Sequence, residues 1–416
     1  MPPASGSALS ALARRDPGAE RIFDEIAFGL GEADPYPRYR RLRETAPVLL
    51  TRDGTLVLTR HADCEAALRH RFLGRRGEVL GFGVTALPPD EPALALRSVQ
   101  DSMLFADPPD HARLRRLVSS AFAGRHVEAL RRAVAARTDA ALRALAEAPG
   151  ADFVTGFALP VPVQVIADLL GVPEEDRAWL VPRVLELGAA LGPRTAPGVR
   201  DRALAAQADL TGYLTGLLAA RRAEPEDDLL SRLAASRADD ALTEAETVGA
   251  CFLLFGAGVE TTSHALGNAL AALFAHPDQF DVLCRDPSLA GVAVEELLRY
   301  DAPVQADARR VLEPTAFLGI DLEPGRTVLA LLGAANRDPA RHEDPDRLDV
   351  TRAASHLAFA AGPHSCLGAH LARLELEVFL RRLVTGYPRC APAGRPVRGP
   401  GLALRRFTEL PVTLAS

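Results

Sequence analysis

Apolar residues recur every three or four positions through most of this chain, which is the spacing of amphipathic helices. Helices are predicted from this pattern at residues 108–122, 125–147, 164–171, 202–222 and 289–300. The longest is predicted over residues 243–276, because Thr243 and Glu246 form a capping box and Pro277 stops the helix. A mainly helical fold is therefore expected.

Alternating apolar segments are fewer and shorter. Two apolar runs flank Asp53-Gly54 between Pro47 and Arg60, which predicts a hairpin. Further strands are expected at residues 309–331 and near the C-terminal end. Because no repeat or clear linker divides the sequence, we predict one domain over residues 1–416, mainly α with small β-sheets.

Glycines and prolines accumulate at residues 72–104 and defeat both helix and strand. A loop of this length in a compact domain is usually a lid or a binding loop, so we assign this segment as a substrate lid. Residues 1–30 are expected to form an N-terminal extension.

Composition and charge exclude several classes of protein. With 416 residues, of which 48% are apolar and 25% charged, the chain can bury a large core. Its formal net charge of −6 gives no general attraction to nucleic acid. Five cysteines without framework spacing indicate a reducing compartment, and the N-terminus lacks the apolar core of a signal peptide. A cytoplasmic protein is expected.

The stretch of residues 249–275 is long enough to span a bilayer, but it contains Glu260, His264 and Asn268. An ionisable group there would cost about 2.5 kcal/mol or more in lipid. We therefore interpret it as a buried helix, and no membrane anchor is expected.

The strongest chemical signal is the run from Phe359 to Gly368, which carries one thiol, Cys366, before a long apolar stretch at helical spacing. A helix beginning at the cysteine would direct its N–H groups and positive dipole end at the sulfur, lowering the thiol pKa and holding a thiolate as a metal ligand. Gly362 and Gly368 would let the backbone approach a flat ligand closely. The other cysteines, Cys64, Cys251, Cys284 and Cys390, are expected to be small buried hydrophobes.

A zinc site is the alternative for this segment. Cys366 with His356, His364 and His370 could supply sulfur and nitrogen ligands. The spacing argues against it, because structural zinc sites usually pair closely spaced cysteines and the chain has no CxxC.

The string F-x-x-G-x-H-x-C-x-G resembles the haem-binding signature of the cytochrome P450 superfamily of haem-thiolate monooxygenases. The resemblance implies the triangular P450 fold, with haem between the long central helix and the helix after the cysteine loop at residues 356–370. It also implies that Cys366 is the axial ligand of the iron. Ala360 departs from the family's common glycine. The implied haem contacts in this loop are Phe359, Gly362, His364 and Gly368.

A second stretch, Ala257-Gly258-Val259-Glu260-Thr261, resembles the family's A-G-x-(D/E)-T motif in the oxygen-binding helix. The small Ala257 and Gly258 would leave room for a flat macrocycle, and a Thr261 hydroxyl could bond back to a backbone carbonyl. The resemblance implies that Glu260 and Thr261 relay protons, with Thr262 a less favoured holder of the alcohol role.

Two more motifs carry the resemblance. Glu296-x-x-Arg299, with Arg347 as a later partner, resembles the family's buried ionic network, which would brace the cysteine loop. Haem propionates need cationic donors. The implied donors are His111 and Arg115 of an H-x-x-x-R stretch, together with His364 and Arg309, although neighbouring Arg310 leaves a one-residue ambiguity.

The implied cofactor is haem b, with O2 as co-substrate and electrons ultimately from NAD(P)H. Because the sequence holds no flavin or iron–sulfur segment, electrons are expected to arrive from separate proteins, and the resemblance to soluble bacterial members implies that the partners are a ferredoxin and a ferredoxin reductase. They would dock on arginines such as Arg116, Arg125 and Arg373. We expect a monomer.

The implied reaction inserts one oxygen atom into a lipophilic small molecule, by hydroxylation or epoxidation, and composition typical of GC-rich bacteria suggests tailoring of a secondary metabolite. Two alternatives stay open: a P450 that catalyses oxidative coupling, decarboxylation or peroxide-driven oxidation, and a non-catalytic haem sensor. The expected pocket residues are Phe82, Met103, Leu104, Val304 and Phe407.

Overall fold

Helices dominate the computed structural model, which describes residues 15–28, 34–75, 102–119, 122, 124–189, 198–235, 242–399 and 401–415. The longer helices are Pro17–Phe28, Tyr36–Thr45, His61–Arg69, Asp110–Ser119, Gly124–Ala129, Arg131–Ala146, Pro160–Leu170, Arg177–Ala189, Val199–Ala223, Leu229–Ala234, Glu244–Ala275, Pro277–Arg285, Ala290–Tyr300 and Ala369–Gly386. Every helix predicted above is present. The segment predicted as one helix over 125–147 is two helices that meet at Leu130.

Among the residues that the structure describes there are also eleven short strands: β1 Val48–Leu50, β2 Leu56–Leu58, β3 Leu73–Gly74, β4 Asp307–Val311, β5 Thr315–Phe317, β6 Ile320–Leu322, β7 Thr327–Ala330, β8 Ala391–Pro392, β9 Val397–Arg398, β10 Phe407–Glu409 and β11 Val412–Thr413. Five of them form a sheet in the order β1-β2-β7-β4-β3. The predicted hairpin is confirmed, since β1 and β2 pair antiparallel.

The predicted loop of residues 72–104 begins too early, because residues 73–74 form strand β3, which pairs with β4. The bulk of that segment, including Phe82, lies outside the described residues. In the predicted N-terminal extension, residues 17–28 are helical, and Ile22 and Ile26 are buried with Tyr39 of the next helix. This part of the extension is thus attached to the core.

The helix Glu244–Ala275, hereafter the long helix, begins at the predicted capping box. The Thr243 hydroxyl accepts a hydrogen bond from the Glu246 N–H at 3.1 Å, and the Glu246 carboxylate accepts one from the Thr243 N–H at 2.8 Å. Most of its residues are buried, as predicted for a core helix. Within the described ranges, no helix has the length and apolar character needed to cross a membrane.

The helix Ala369–Gly386, hereafter the C-terminal helix, packs on the long helix and on Arg131–Ala146. Its Phe379 ring lies 5.0 Å from that of Phe157, which stacks on Phe153. These aromatic rings fill the main apolar core. This packing fixes the C-terminal helix, which follows Cys366 along the chain, against the core and the long helix.

Candidate functional site

A tight turn presents Cys366. Its backbone N–H donates to the Phe359 carbonyl at 2.9 Å, which closes the loop between them. Gly362 has φ 72° inside this loop, and a Cβ there would lie 2.5 Å from the Leu68 carbonyl oxygen. Gly362 is therefore needed for packing against the helix His61–Arg69, whereas the sequence suggested an approach to a flat ligand. The side chain of Cys366 itself is accessible.

The helix predicted to begin at the cysteine begins later, and the thiol pKa is not lowered as predicted. The C-terminal helix begins at Ala369, three residues after the cysteine, with Gly368 as its N-cap. Burial by the surrounding protein raises the pKa of the Cys366 thiol, and the Gly368 N–H, Arg115 and Arg373 lower it by less. The dipole of a helix falls off within its first turn, so the offset start weakens its effect on the sulfur.

Cationic side chains gather beside this loop, as the sequence predicted. The rings of His111 and His364 lie 4.1 Å apart. Arg309 is only 1% exposed and donates from Nη1 to Asp307 at 2.7 Å. Its Nε and Nη2 are buried without a partner among the described residues. A buried guanidinium with two open donors fits an anionic ligand.

The choice between Arg309 and Arg310 follows from strand geometry. Successive residues of β4 point to opposite faces of the sheet. Arg310 extends toward Gly325, where its Nη2 lies 3.5 Å from the position of an added Cβ. Arg309 therefore shares the face of the histidines.

The positive charges in this cluster favour the binding of an added anion. Burial, and then the positive charges of His111, Arg75 and Arg309, lower the pKa of His364 to about 2. The pKa of His111 is lowered mainly by burial. Arg75, which the sequence reasoning missed, forms an ion pair with Asp307. Nothing in the sequence indicated this role, because Arg75 lies within the segment predicted as a lid and meets Asp307 only through the pairing of β3 with β4.

Arg115 reaches the same region from the next turn of the His111 helix. Its Nη2 donates to the Ser365 hydroxyl at 3.3 Å, beside the cysteine. Burial lowers the pKa of the Arg115 guanidinium. His111 and Arg115 thus both approach the cysteine loop, as their spacing predicted.

The middle of the long helix is open where its flanking turns are buried. Gly256, Ala257, Gly258, Glu260 and Thr261 are partly or fully accessible, while the turns before and after them are buried. The Thr261 hydroxyl donates to the Ala257 carbonyl at 2.7 Å, which is the back-bond predicted above. Thr262 is buried.

Glu260 sits in this opening. Burial raises the pKa of its carboxyl, and the charge of Arg406 opposes that shift. Arg406 Nη1 lies 3.7 Å from Glu260 Oε1. Sequence reasoning missed Arg406, because it lies in the irregular C-terminal part of the chain and carries no motif.

Glu296 and Arg299 form the predicted buried ion pair. Arg299 donates to the two Glu296 carboxylate oxygens at 2.6 and 2.8 Å, and both side chains are fully buried. Arg299 also donates to the carbonyls of Asn336 at 3.0 Å and Pro345 at 2.7 Å. A buried guanidinium is thereby satisfied by backbone from a distant segment.

The third member of this network differs from the prediction. Arg347 contributes only its carbonyl oxygen, which Arg299 reaches at 3.2 Å, and its side chain is 66% exposed. The arginine whose side chain approaches Glu296 is Arg352, with Nε at 3.3 Å from the carboxylate. Because the Arg347 carbonyl faces inward to Arg299, its side chain is directed outward.

Asn336 connects this network to the cysteine loop. Its carbonyl accepts from Arg299, and its side-chain oxygen accepts from the Leu357 N–H at 2.7 Å. Glu295 adds a second brace, binding Arg373 at 2.6 and 2.9 Å and His356 at 3.3 Å. The loop is therefore supported by hydrogen bonds on both sides.

The zinc alternative finds no support. His356 is engaged by Glu295, and the described part of the chain holds no group of three His, Cys, Asp or Glu side chains placed as metal ligands. Among the other cysteines, Cys64 and Cys251 are buried as predicted, whereas Cys284 and Cys390 are only half-buried.

The expected pocket residues do not share one environment. Met103, Leu104 and Val304 are half-buried, and Val304 bridges to Leu404. Phe407 is 6% exposed and belongs to the main core. Its ring packs against the long helix near Gly267. Phe407 is therefore a core residue and not part of the expected pocket.

Comparison with known proteins decides the family. The family model for cytochrome P450 matches residues 201–285 and 289–388. A vitamin D(3) 25-hydroxylase of Pseudonocardia autotrophica is 39% identical, over 92% of this chain and 94% of the relative. The cytochrome P450 monooxygenase PikC of Streptomyces venezuelae is 37% identical, over 91% of each chain. The chain belongs to the cytochrome P450 family.

The solved structures agree on the fold of this P450. The crystal structure of P450BioI in complex with an acyl carrier protein carrying hexadec-9Z-enoic acid matches with a TM-score of 0.81 and 33% identity. That match covers 91% of this chain and 98% of P450BioI. The predicted mainly helical P450 fold is confirmed, and the protein is a P450 monooxygenase.

Membership of the P450 family implies haem and the use of O2. The described residues fit haem: an accessible thiol, an open stretch of helix lined by small residues, and a buried guanidinium with two unpaired donors. The two unpaired nitrogens of Arg309 have the geometry to grip a carboxylate.

Proposed function

We propose that this P450 inserts one oxygen atom from O2 into a lipophilic secondary metabolite, by hydroxylation or epoxidation. The observation that carries the proposal is the open stretch of the long helix, where Glu260 and Thr261 lie beside small residues. The relatives support a lipophilic substrate, since one is a vitamin D(3) hydroxylase and another was crystallised with a fatty acid on its carrier protein.

In this proposal the Cys366 thiolate would bind the haem iron, and other residues of the chain would supply the remaining contacts. Haem, when bound, supplies the redox chemistry that activates dioxygen, and thiolate ligation favours cleavage of the O–O bond. The propionates would be held by His111, Arg115, Arg309 and His364. The walls of the haem site would come from Ala257, Gly258, Phe359 and Gly368, while Gly362 packs the loop against the helix His61–Arg69.

Glu260 and Thr261 would deliver the protons. Burial raises the pKa of the Glu260 carboxyl, which makes its oxygen atoms better able to take up a proton. Thr261 already donates its own hydrogen to the Ala257 carbonyl, so its oxygen lone pairs remain able to accept. The Thr261 oxygen could accept a hydrogen bond from the protonated Glu260 or from a water between them, and it would relay a proton only by releasing its own hydrogen from the Ala257 carbonyl toward the open face of the helix.

Electrons would come from NAD(P)H through a ferredoxin and its reductase. Of the three arginines expected to dock the ferredoxin, Arg373 is held by Glu295, so it is less available than the sequence suggested. Arg116 and Arg125 are exposed and carry this part of the proposal. Reversing both charges should slow electron transfer and flatten its dependence on salt. An unchanged rate would contradict docking at these arginines.

Two measurements test the proposed function. The first is the absorption spectrum of the reduced protein with carbon monoxide, compared between the parent, Cys366→Ser and the control Cys390→Ser. We expect a strongly red-shifted Soret band that only Cys366→Ser loses. A folded parent protein without a haem band would overturn the proposal.

The second measurement follows oxygen. Turnover under 18O2 with a ferredoxin, its reductase and NAD(P)H should place one labelled atom in the product. An oxidised product without label would instead indicate coupling or decarboxylation. Product formed only with added peroxide would overturn the need for redox partners.

A further inference from the structure

The carboxylate of Glu260 faces a charged side chain from the C-terminal segment. Arg406 Nη1 lies 3.7 Å from Glu260 Oε1, and each side chain is 20% exposed. This separation is an ion pair without a direct hydrogen bond. The carboxylate is thus held by charge, while its oxygen atoms stay able to bind a proton or a bridging water.

The backbone fixes Arg406 in that place from two sides. The next residue, Phe407, packs near Gly267, about two helical turns beyond Glu260. On the other side, the Gly399 N–H donates to the Arg406 carbonyl at 3.2 Å. A Cβ at Gly399 would lie 2.7 Å from Arg406 Nε, so the glycine leaves the space that this side chain occupies.

Arg406 also lines a small cavity. Its volume is about 40 Å³, and its lining includes Arg405, Arg406 and Gly399. That volume holds about one water molecule. Arg406 therefore lines a water-sized space and also faces the carboxylate of the long helix.

His264 is the other titratable group on this part of the helix, one turn after Glu260. It is buried, and its Nδ1 has no partner among the described residues. Burial, and then the charge of Arg406, lower the pKa of His264 to about 3. The imidazole is neutral near pH 7, which leaves Glu260 as the group whose charge Arg406 governs.

We propose that Arg406 is the positioning residue of Glu260, holding its carboxylate ionised between proton transfers and joining it to the water-sized cavity as the solvent end of its proton path. This inference rests on the proposed role of Glu260. An opposite charge within about 4–6 Å favours the ionised form of a carboxyl. Without Arg406, burial in an apolar helix would keep Glu260 protonated. Its carboxyl could then not release and regain a proton in each catalytic cycle.

The test measures Glu260 directly in the haem-loaded protein. The infrared carboxyl band that Glu260→Gln removes is followed as a function of pH in Arg406→Gln, Arg406→Lys and the control Arg395→Gln. We expect Arg406→Gln to raise the pKa of Glu260 by about one unit, and Arg406→Lys to restore it. Arg395 is an exposed arginine elsewhere in the C-terminal segment, and its variant should match the parent.

Gly399→Ala gives an independent variant that keeps the charge. The added methyl group should displace the Arg406 side chain, since that flexible group is its closest neighbour, and the midpoint of the Glu260 band should rise. An unchanged midpoint in Arg406→Gln would overturn the proposal.

Turnover measured in parallel separates two hypotheses: that Arg406 positions Glu260, and that Glu260 delivers protons. If the midpoint shifts as expected while Glu260→Gln still forms product normally, Arg406 positions Glu260 but the proton-delivery role of Glu260 is lost. If Arg406→Gln shifts the midpoint and moves the acid limb of the pH–rate profile upward by a similar amount, both stand.

Discussion

Arg352 Nε lies 3.3 Å from the fully buried carboxylate of Glu296, whereas Arg347, five residues earlier, turns its side chain to solvent. The two arginines sit in the same irregular segment and differ in which part of each faces the core. This contrast yields a matched pair of substitutions.

Arg352→Gln should destabilise the protein by about 1–3 kcal/mol, because Glu296 keeps fewer positive neighbours in a buried site. Arg347→Gln should stay within about 0.5 kcal/mol, since a surface side chain contributes little. Urea unfolding curves for both variants check this. A larger loss for Arg347→Gln would mean that the side chain of Arg347 supports the network after all.

Ala360→Gly should stabilise the protein by about 1 kcal/mol. Ala360 has φ 54°, in the left-handed region that costs residues other than glycine roughly that amount. The neighbouring Ala361 has φ −149°, so Ala361→Gly should instead lose stability by adding unfolded-state entropy. Thermal unfolding of the two variants distinguishes them, and a loss of stability in both would argue against strain at position 360.

Glu375 of the C-terminal helix makes the stability of the protein depend on pH. Burial raises the pKa of its carboxyl from 4.5 to about 8, and its Oε2 has no partner among the described residues. Above pH 4.5 the unfolded chain releases this proton while the folded protein keeps it, so the free energy of unfolding falls as pH rises toward 8.

Glu375→Gln removes that dependence. The variant should gain about 2–3 kcal/mol over the parent at pH 7 and much less at pH 5. Glu377→Gln is the control, because Glu377 pairs with Arg381 near the surface and should show no such gain. Denaturant unfolding at several pH values measures the difference. A constant difference across this range would show that Glu375 is ionised in the fold.

Thr261→Ala should uncouple NAD(P)H consumption from product formation. Without the hydroxyl, the proposed relay between Glu260 and the open helix face is broken, and product per NAD(P)H should fall at least about tenfold while peroxide rises. Thr261→Ser should restore coupling. Thr262→Ala serves as a control at a buried neighbour. Equal product yields in Thr261→Ala and the parent would favour a haem sensor or a peroxide-driven enzyme.

Local features were predictable from the sequence because their causes are local. The long helix follows from apolar spacing and from a capping box between Thr243 and Glu246, and the hairpin follows from Asp53-Gly54. The cysteine motif identified the family, and the Thr261 back-bond follows from the four-residue period of a helix. In each case the interacting atoms lie within one turn.

The tertiary structure decided what depends on distant segments. Which arginine faces Glu296 depends on the path of an irregular segment, and Arg309 faces the histidines because of the register of β4. The pKa of the Cys366 thiol is set by burial, which outweighs the hydrogen bonds that its motif provides. Sequence periodicity fixes the side of a helix or strand on which a residue lies. Only the packing of the whole chain determines what is buried against it, and hence which charges meet.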